Sequence, residues 1–271
     1  MIVNFDEFKV GRIFKMLDLK GKVGLVFGVA NHRSIAWSVA QTLLNAGAEL
    51  ALSVLDERAQ KKAQALFQHE SQGMVEQCDI SQIDQLKALI HKIKQRWGRI
   101  DFIVHSIAFA DIQALKNPIS TCSREAYLQA MDISAFSLLS IVNESRELLS
   151  EQASIVTLSY LGAEIAIPSY GLMGPVKAAL EAEVRYLAAE LGSLGMRANV
   201  VSAGPLKTLA ASAIPGFKQH LKEVGTSNPR GRGIEHQEVA NVVCFLCSSM
   251  SSGINGEVIH VDAGQHAVRA F

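Results

Sequence analysis

Seven apolar runs that alternate with helical patterns constrain the fold of this chain more than any other feature. In chain order the runs are GKVGLVF, ELALSVL, MVEQCDI, DFIVHSIAF, ASIVTLSY, RANVVSAG and EVIHVDAG. Continuous apolar runs, as opposed to alternating ones, are typical of parallel strands that are buried on both faces. The sequence therefore predicts an α/β fold, with one doubly wound sheet of about seven parallel strands and helices on both faces.

The same pattern indicates one domain, because no linker, repeat or low-complexity tract interrupts it. The 271 residues, 49% of them hydrophobic, supply enough apolar side chains for one large core. We assign residues 1–18 to an N-terminal extension and residues 19–271 to the domain. A long helix is predicted from about Arg124 to Leu149. The longest irregular stretch spans residues 205–236, and so long a connection is often a lid over a substrate.

The composition excludes several classes of function. The 26 basic and 26 acidic residues give a formal net charge of zero, so no large basic field is available for nucleic acid or an anionic membrane. No run approaches the roughly 20 apolar residues that a membrane-spanning helix needs. Few cysteines and the absence of a signal peptide favour a cytoplasmic location.

Two cysteines, Cys244 and Cys247, form a CxxC pair that is also found in zinc sites. A zinc site needs further ligands, and neither a second CxxC nor a nearby histidine pair provides them. The surrounding segment, EVANVVCFLCSSM, has helical periodicity. We therefore interpret both cysteines as buried helix residues and predict no metal site.

The loop after the first strand, GVANHRSIA, has the position of a dinucleotide-binding loop but not its full glycine pattern. Of the GxGxxG pattern only Gly28 remains, with Ala30 and Ala36 near the other small positions. Gly28 permits a tight turn, and Ser34 is placed to cap a helix whose N-terminal amides would face a pyrophosphate. The alternative is an ordinary loop between a strand and a helix.

Charged residues that follow the next two strands bear on the choice of nucleotide. Asp56 and Glu57 follow the second strand, where an acidic residue can bind a ribose 2′-hydroxyl and repel a 2′-phosphate. This favours NADH over NADPH, although Arg58 could accommodate the phosphate. Alternatively, all three are solvated charges at the start of a helix. Asp79 follows the third strand and either accepts a bond from an adenine amino group or caps the next helix.

A tyrosine and a lysine stand at an unusual spacing in the segment SYGLMGPVK. Tyr170 and Lys177 are seven residues apart, whereas Met173, which has no acidic proton, stands four residues before the lysine. On a helix, seven residues span roughly 10 Å on nearly one face. Pro175 favours a helix that begins near Met173 or Gly174, because proline is tolerated in a first turn. Tyr170 then reaches further along a cleft, or lies just before the helix.

The chain resembles the enoyl-acyl-carrier-protein reductases of bacterial fatty-acid synthesis, which are short-chain dehydrogenase/reductases with a Rossmann-type fold. The matching segments are GVANHRSIA, CDI, HSIAFA, TLSYLGAE, SYGLMGPVK, VSAGPLKTLAAS and GEVIHVDAG, in order over about residues 20 to 265. The family's spacing of six residues between tyrosine and lysine explains the position of Tyr170. The resemblance implies reduction of trans-2-enoyl thioesters by NADH, with acyl carrier protein as partner and a homotetramer as the assembly.

The resemblance also implies a role for individual residues. Tyr160, Tyr170 and Lys177 would be the active-site residues, and Tyr170 is the favoured oxyanion donor. Residues expected to contact NADH are Gly28, Ser34, Ile35, Leu55, Asp79, Ile80, Ile107, Lys177, Leu206 and Thr208. Residues expected to contact the thioester or acyl chain are Ala110, Met173 and Phe217. His105 is interpreted as a packed strand residue and not as a base.

The chain departs from the family pattern at two places, and two other functions remain as alternatives. Ala263 stands where glycine is common in HVDGG. Lys218 and Lys222 are present for carrier docking, but Pro215 and Gln219 occupy neighbouring positions that can be basic. The alternative functions are a related short-chain reductase that acts on a carbonyl or a non-carrier enoyl thioester, and a non-catalytic nucleotide-binding protein.

Overall fold

The computed structural model describes residues 17–67, 69, 72–167, 170–208, 211 and 216–268, with the backbone alone for residues 218 and 220. The predicted N-terminal extension therefore lies almost wholly outside the described residues. The same holds for residues 209–210 and 212–215 of the predicted lid, which include Pro215, and for the side chain of Lys218.

One sheet of seven parallel strands lies at the centre of the described chain, as the apolar runs predict. Its order is β3-β2-β1-β4-β5-β6-β7, so the chain reverses direction across the sheet between β1 and β4. The strands are β1 Val23–Phe27, β2 Glu49–Val54, β3 Gly73–Gln77, β4 Ile100–His105, β5 Leu149–Ser159, β6 Arg197–Ala203 and β7 Val258–Val261. Ligands of such sheets bind outside the carboxyl ends of the strands, at this reversal.

Helices cover both faces of the sheet, and their apolar sides face it. They are α1 Ile35–Asn45, α2 Glu57–Gln64, α3 Ile83–Arg96, α4 Ile112–Lys116, α5 Arg124–Met131, α6 Ser137–Ser145, α7 Met173–Gly192, α8 Phe217–Ser227 and α9 His236–Cys247. Among the described residues, none of these helices is long and apolar enough to cross a bilayer. Cys244 and Cys247 are buried in α9, as the periodicity predicts.

The structure divides the core into two groups of buried side chains, one on each face of the sheet. One group includes Met173 and Val176 of α7, and the half-buried Ile80, Ile107, Ala110 and Tyr170 pack against it. The other includes Val29, Ala36 and Leu206, with Ile35 packed against it. The residues expected to bind cofactor and substrate therefore lie on both sides of the carboxyl edge.

Two boundaries differ from the sequence prediction. The helical stretch that begins at Arg124 contains a π-helical turn, Asp132–Phe136, between α5 and α6. It ends in the 3₁₀ turn Arg146–Leu148, and β5 begins directly at Leu149 instead of near Ala153. The extra turn residue of the π segment lets Ser134 bond both the N–H and the C=O of Phe109, at 2.8 Å each. This contact lies outside the helical periodicity, so the pattern could not reveal it.

Candidate active site

The loop after β1 is shaped by its backbone. Gly28 has φ 90°, a conformation that side-chain-bearing residues rarely adopt. A Cβ at Gly28 would also overlap the carbonyl oxygen of Ser106, which follows β4. The two loops therefore run against one another at the point where the strand order reverses. Glycine is required here for both reasons, which is the role that the weak motif predicts.

The N-terminus of α1 follows this loop and is capped by its own serine. Ser34 accepts a hydrogen bond from the N–H of Trp37 at 3.3 Å, while its hydroxyl donates to Asn31 O at 2.7 Å. The first amides of a helix carry partial positive charge and suit an anionic group. Leu55, 64% exposed at the end of β2, adds an apolar surface on the same edge. This loop, helix end and apolar side chain fit a dinucleotide.

The acidic residues after β2 are used locally. Asp56 caps α2 by accepting a bond from the N–H of Ala59 at 2.7 Å. Glu57 forms an exposed ion pair with Lys61 at 2.8 Å. The side chains of Asp56 and Glu57 therefore interact as charges at the start of a helix, as the alternative interpretation states. The geometry adds no support for a ribose-binding role of Asp56.

Asp79 organises the turn after β3. Its carboxylate accepts bonds from the N–H and the hydroxyl of Ser81, at 3.0 and 2.8 Å. The N-cap of α3 is Gln82, so the interpretation of Asp79 as the helix cap is wrong. The turn holds Asp79 at the carboxyl edge next to Ile80, which packs against the core. Asp79 thus keeps the position that the adenine interpretation needs.

Tyr170 lies in the turn that precedes α7, which begins at Met173. The N–H of Met173 donates to Tyr170 O at 3.1 Å, and the intervening Gly171 has φ 48°. Of the two predicted placements, the tyrosine therefore has the second, just before the helix. Met173 is buried and belongs to the core on one face of the sheet.

Lys177 is a buried cation at the ends of two central strands. Its ammonium donates to Leu158 O at 2.8 Å and to Ile107 O at 3.4 Å. Only 4% of the residue is exposed, and burial lowers its pKa to about 8. The lysine therefore ties α7 to β5 and to the loop after β4. A cation in this position attracts hydroxyl groups and developing negative charge.

The two tyrosines are in contact with each other. The ring centroids of Tyr160 and Tyr170 are 4.8 Å apart with an angle of 71° between the planes, an edge-to-face arrangement. Burial raises the pKa of Tyr160 to about 12, although a hydrogen bond with Gln265 lowers it. Burial also raises the pKa of Tyr170, and the neighbouring Tyr160 adds to this. Both phenols therefore keep their protons at neutral pH and can donate hydrogen bonds.

The remaining predicted residues lie at the same edge of the sheet. Leu206 and Thr208 follow β6. Leu206 is buried, and Thr208 accepts a bond from Ala211 N at 3.0 Å. Phe217 is buried as the first residue of α8, and Gly216 precedes it as the N-cap. Ala110 packs against the core group that contains Met173.

His105 is confirmed as a packed strand residue. The ring is fully buried, and its nitrogens lie 2.8 Å from Thr157 Oγ1 and 2.8 Å from Ser137 Oγ. Burial, together with the charge of Lys177, lowers its pKa to about 3, so the ring is neutral at neutral pH.

A buried carboxylate near the lysine was missed by the sequence reasoning. Glu181 is one turn beyond Lys177 on α7 and accepts a hydrogen bond from Ser159 Oγ. The spacing of four residues between lysine and glutamate was its only signal in the sequence. That spacing is common on exposed helices, so it does not by itself indicate burial.

A doubly wound parallel sheet, with a protonated tyrosine before α7 and a buried lysine near the start of that helix, is the arrangement of a nucleotide-dependent reductase of the short-chain type. A family model described as enoyl-(acyl carrier protein) reductase matches residues 28–266. The chain belongs to the enoyl-acyl-carrier-protein reductase family.

Individual relatives agree over nearly the whole chain. A Rhizobium meliloti protein named enoyl-acyl-carrier-protein reductase (NADH) 1 is 43% identical over 250 residues, which cover 92% of each chain. A Staphylococcus aureus protein named as the NADPH enzyme is 40% identical over 94% of this chain and 100% of its own. The crystal structure of the Bacillus cereus reductase with NADP+ and an indole naphthyridinone has a TM-score of 0.89. It is 40% identical and is matched over 93% of this chain and 99% of its own.

Proposed function

We propose that this reductase saturates the C2=C3 double bond of trans-2-enoyl thioesters carried by acyl carrier protein, with NADH as the reductant and Tyr170 as the oxyanion donor. The observation that carries the proposal is that the half-buried Tyr170 and the buried Lys177 both lie at the carboxyl edge of the sheet, the tyrosine just before α7 and the lysine near its start. A methionine in the position four residues before the lysine argues against the usual arrangement for carbonyl reduction. This geometry favours stabilisation of an enolate oxygen over protonation of a ketone.

Residues on both sides of the sheet edge would hold the dinucleotide. When bound, NADH would supply the hydride that reduces C3 of the substrate. The N-terminus of α1, with Ser34 and Ile35, suits the pyrophosphate. Leu55, Asp79 and Ile80 lie after β2 and β3, on the side where the adenosine would lie. Gly28, Ile107, Leu206 and Thr208 complete the set toward the nicotinamide end.

Tyr170 would stabilise the negative charge that develops on the thioester oxygen. Its phenol is protonated because burial raises its pKa, so it can donate a hydrogen bond to that oxygen. Tyr160 lies against the ring of Tyr170 and is the second candidate for the same role. Protonation at C2 then completes the saturated thioester.

Lys177 would bind the ribose hydroxyls next to the nicotinamide and favour the developing negative charge. Its ammonium is already oriented by Leu158 O and Ile107 O, so little side-chain entropy remains to be lost when a ligand binds. The thioester and acyl chain would lie against Ala110, Met173 and Phe217 beneath the segment 205–236. Lys222 is exposed on α8 and would meet the acidic carrier protein, together with Lys218.

The finer assignments are also part of the proposal. NADH is proposed as the better cofactor because Asp56 and Glu57 place negative charge after β2, where a 2′-phosphate would be repelled. A homotetramer in the cytoplasm is proposed from the resemblance to the family. A higher catalytic efficiency with NADPH than with NADH would contradict the cofactor assignment and would implicate Arg58.

One assay tests the function against its alternatives. Oxidation of NADH is followed with crotonyl and longer enoyl thioesters on acyl carrier protein and on coenzyme A, beside a panel of ketones and aldehydes. We expect turnover with the carrier-bound enoyl thioesters and none with the carbonyl panel. Turnover with carbonyl compounds alone would support the related reductase. Nucleotide binding without any turnover would support the non-catalytic protein.

A further inference from the structure

Glu181 is a buried carboxylate on the face of α7 that carries Lys177. It is 5% exposed and the lysine is 4% exposed. Residues four apart on a helix lie on one face, on successive turns. A buried carboxylate is costly unless a nearby group compensates its charge, so its presence beside a functional cation requires an explanation.

Adjacent residues at the end of β5 hold these two side chains. Leu158 O accepts the hydrogen bond from the Lys177 ammonium at 2.8 Å. The hydroxyl of the next residue, Ser159, donates to Glu181 Oε1. One strand end therefore anchors both the ammonium group and the carboxyl group.

The polar atoms that contact Lys177 are carbonyl oxygens, which carry only partial charge. Burial lowers the pKa of the lysine to about 8, and Glu181 opposes this by raising it. Burial raises the pKa of Glu181 itself, while the hydrogen bond from Ser159 lowers it. The carboxylate is thus the formal negative charge that offsets the cost of keeping an ammonium in this position.

We propose that Glu181 is a positioning residue for the reduction, which keeps Lys177 charged and aimed at the ends of β4 and β5. The kinetic part of this inference rests on the proposed function. The part that concerns the protonation of the lysine does not.

Other titratable groups surround the pair and enter its pH dependence. The charge of Lys177 lowers the pKa of the buried His105 of β4, and Glu181 raises the pKa of Tyr170, which precedes α7. Around Glu181, Glu164 raises the pKa of the carboxyl, whereas His260 of β7 and Arg185 of α7 lower it. His260 lies 2.6 Å from the carboxylate of Glu164.

The expected effect has a definite sign. Glu181→Gln removes the negative charge but keeps an oxygen that can accept the bond from Ser159. The pKa of Lys177 then falls below its value of about 8 in the parent. We expect a fall of about one pKa unit. The charged fraction of the lysine at pH 7.5 would then fall about three-fold.

Two measurements test this effect, and one of them needs no turnover. Protein labelled with ¹³C at the lysine ε-carbon is titrated by NMR, and the Lys177 signal is assigned by its loss in Lys177→Met. In parallel, kcat/KM for a crotonyl thioester is measured as a function of pH. The matched control is Glu183→Gln, two residues along α7 and therefore on another face. Its buried Oε2 has no hydrogen-bond partner in the described part of the chain, and Glu183 is not among the groups that shift the pKa of Lys177, whereas Glu181 is.

We expect Glu181→Gln to lower the pKa of Lys177 measured by NMR, and the pKa of the alkaline limb of the kcat/KM profile by the same amount. Glu183→Gln should change neither value. Glu181→Asp keeps the charge on a shorter side chain and should give a smaller shift in the same direction. This variant also serves if Glu181→Gln fails to fold. A Lys177 titration that is unchanged in the folded variants would overturn the inference. If the parent does not reduce enoyl thioesters, the proposed function fails, but the NMR titration still decides the role of Glu181.

Discussion

The two halves of the sheet contribute different kinds of groups to the candidate active site. In the half formed by β1 to β3, backbone groups form the candidate binding site, through the φ angle of Gly28 and the N-terminus of α1. In the half formed by β5 and α7, side chains form it, chiefly those of Tyr170 and Lys177, whose pKa values are shifted by burial. A glycine pattern can therefore weaken in the first half while the loop keeps its shape. In the second half each side chain has a separate role.

The largest effect is expected for Tyr170→Phe, which removes one hydroxyl and keeps the ring. Loss of the oxyanion donor should cost about 3 to 4 kcal/mol, or a roughly 100- to 1,000-fold lower single-turnover rate. The dissociation constant of NADH, measured by fluorescence titration, should hardly change. Tyr160→Phe is the control and should reduce the single-turnover rate by less. A larger reduction in Tyr160→Phe than in Tyr170→Phe would mean that Tyr160 is the oxyanion donor.

A change of backbone in the other half should act on stability instead. Gly28→Ala places a Cβ against Ser106 O at a positive φ, so we expect a loss of about 2 to 3 kcal/mol in the free energy of unfolding, with weaker NADH binding. Gly21→Ala is the matched control, because Gly21 has φ 70° but open space around its Cβ position. Urea unfolding measures both variants. Equal losses would show that strain alone acts and that the contact between the two loops is unimportant.

Lys177→Met tests whether one side chain serves both halves. It keeps much of the apolar stem and removes the cation. We expect about ten-fold weaker NADH binding, about 1.4 kcal/mol, together with a lower rate of the chemical step. Fluorescence titration and single-turnover kinetics separate the two effects. A variant that binds NADH and turns over like the parent would mean that the lysine is structural.

Glu183→Gln should stabilise the reactive half at high pH only. Burial raises the pKa of Glu183 from 4.5 to about 7, so the folded state disfavours the charged form. The parent therefore loses stability as the pH rises from 4.5 through 7. The variant should gain nothing below pH 4.5 and about 1 kcal/mol above pH 7, less than the full pKa shift would give because solvent screens this partly exposed side chain. Thermal unfolding at pH 4 and pH 8 measures this, and an equal gain at both values would contradict it.

The smallest effect is expected for Ala263→Gly, a backbone change within the reactive half. Ala263 is the described non-glycine residue with positive φ, at 59°, and glycine is common there in the family that the chain resembles. Relief of the strain should exceed the entropy cost of glycine by about 0.5 kcal/mol. Thermal unfolding with Ala267→Gly as the reference substitution checks the sign. A loss of stability would mean that the position is not strained.

The seven parallel strands were predictable because continuous apolar runs indicate burial on both faces, which is typical of a parallel sheet. The boundaries of the helices were less predictable than the strands. Ser134 of the π turn Asp132–Phe136 bonds to Phe109, and β5 extends back to Leu149 in a region without a continuous apolar run. Such contacts join residues distant in sequence and leave no periodic signal.

The candidate site follows the same division. The placement of Tyr170 before α7 was open to prediction because Pro175 marks a helix start. The local use of Asp56 as a helix cap was one of two readings that the sequence could not separate, since both need an acidic residue at the same position. Glu181 was missed because a lysine and a glutamate four apart more often form an exposed pair than a buried one.

The most direct test of the account is the destination of the hydride. NADH that carries deuterium at the transferred position is oxidised by the protein with a crotonyl thioester of acyl carrier protein, and the product is analysed by NMR and mass spectrometry. If the hydride is transferred to C3, we expect one deuterium, bound to C3 of the butyryl chain. Deuterium on a carbonyl-derived carbon, or nucleotide binding without any transfer of label, would contradict it.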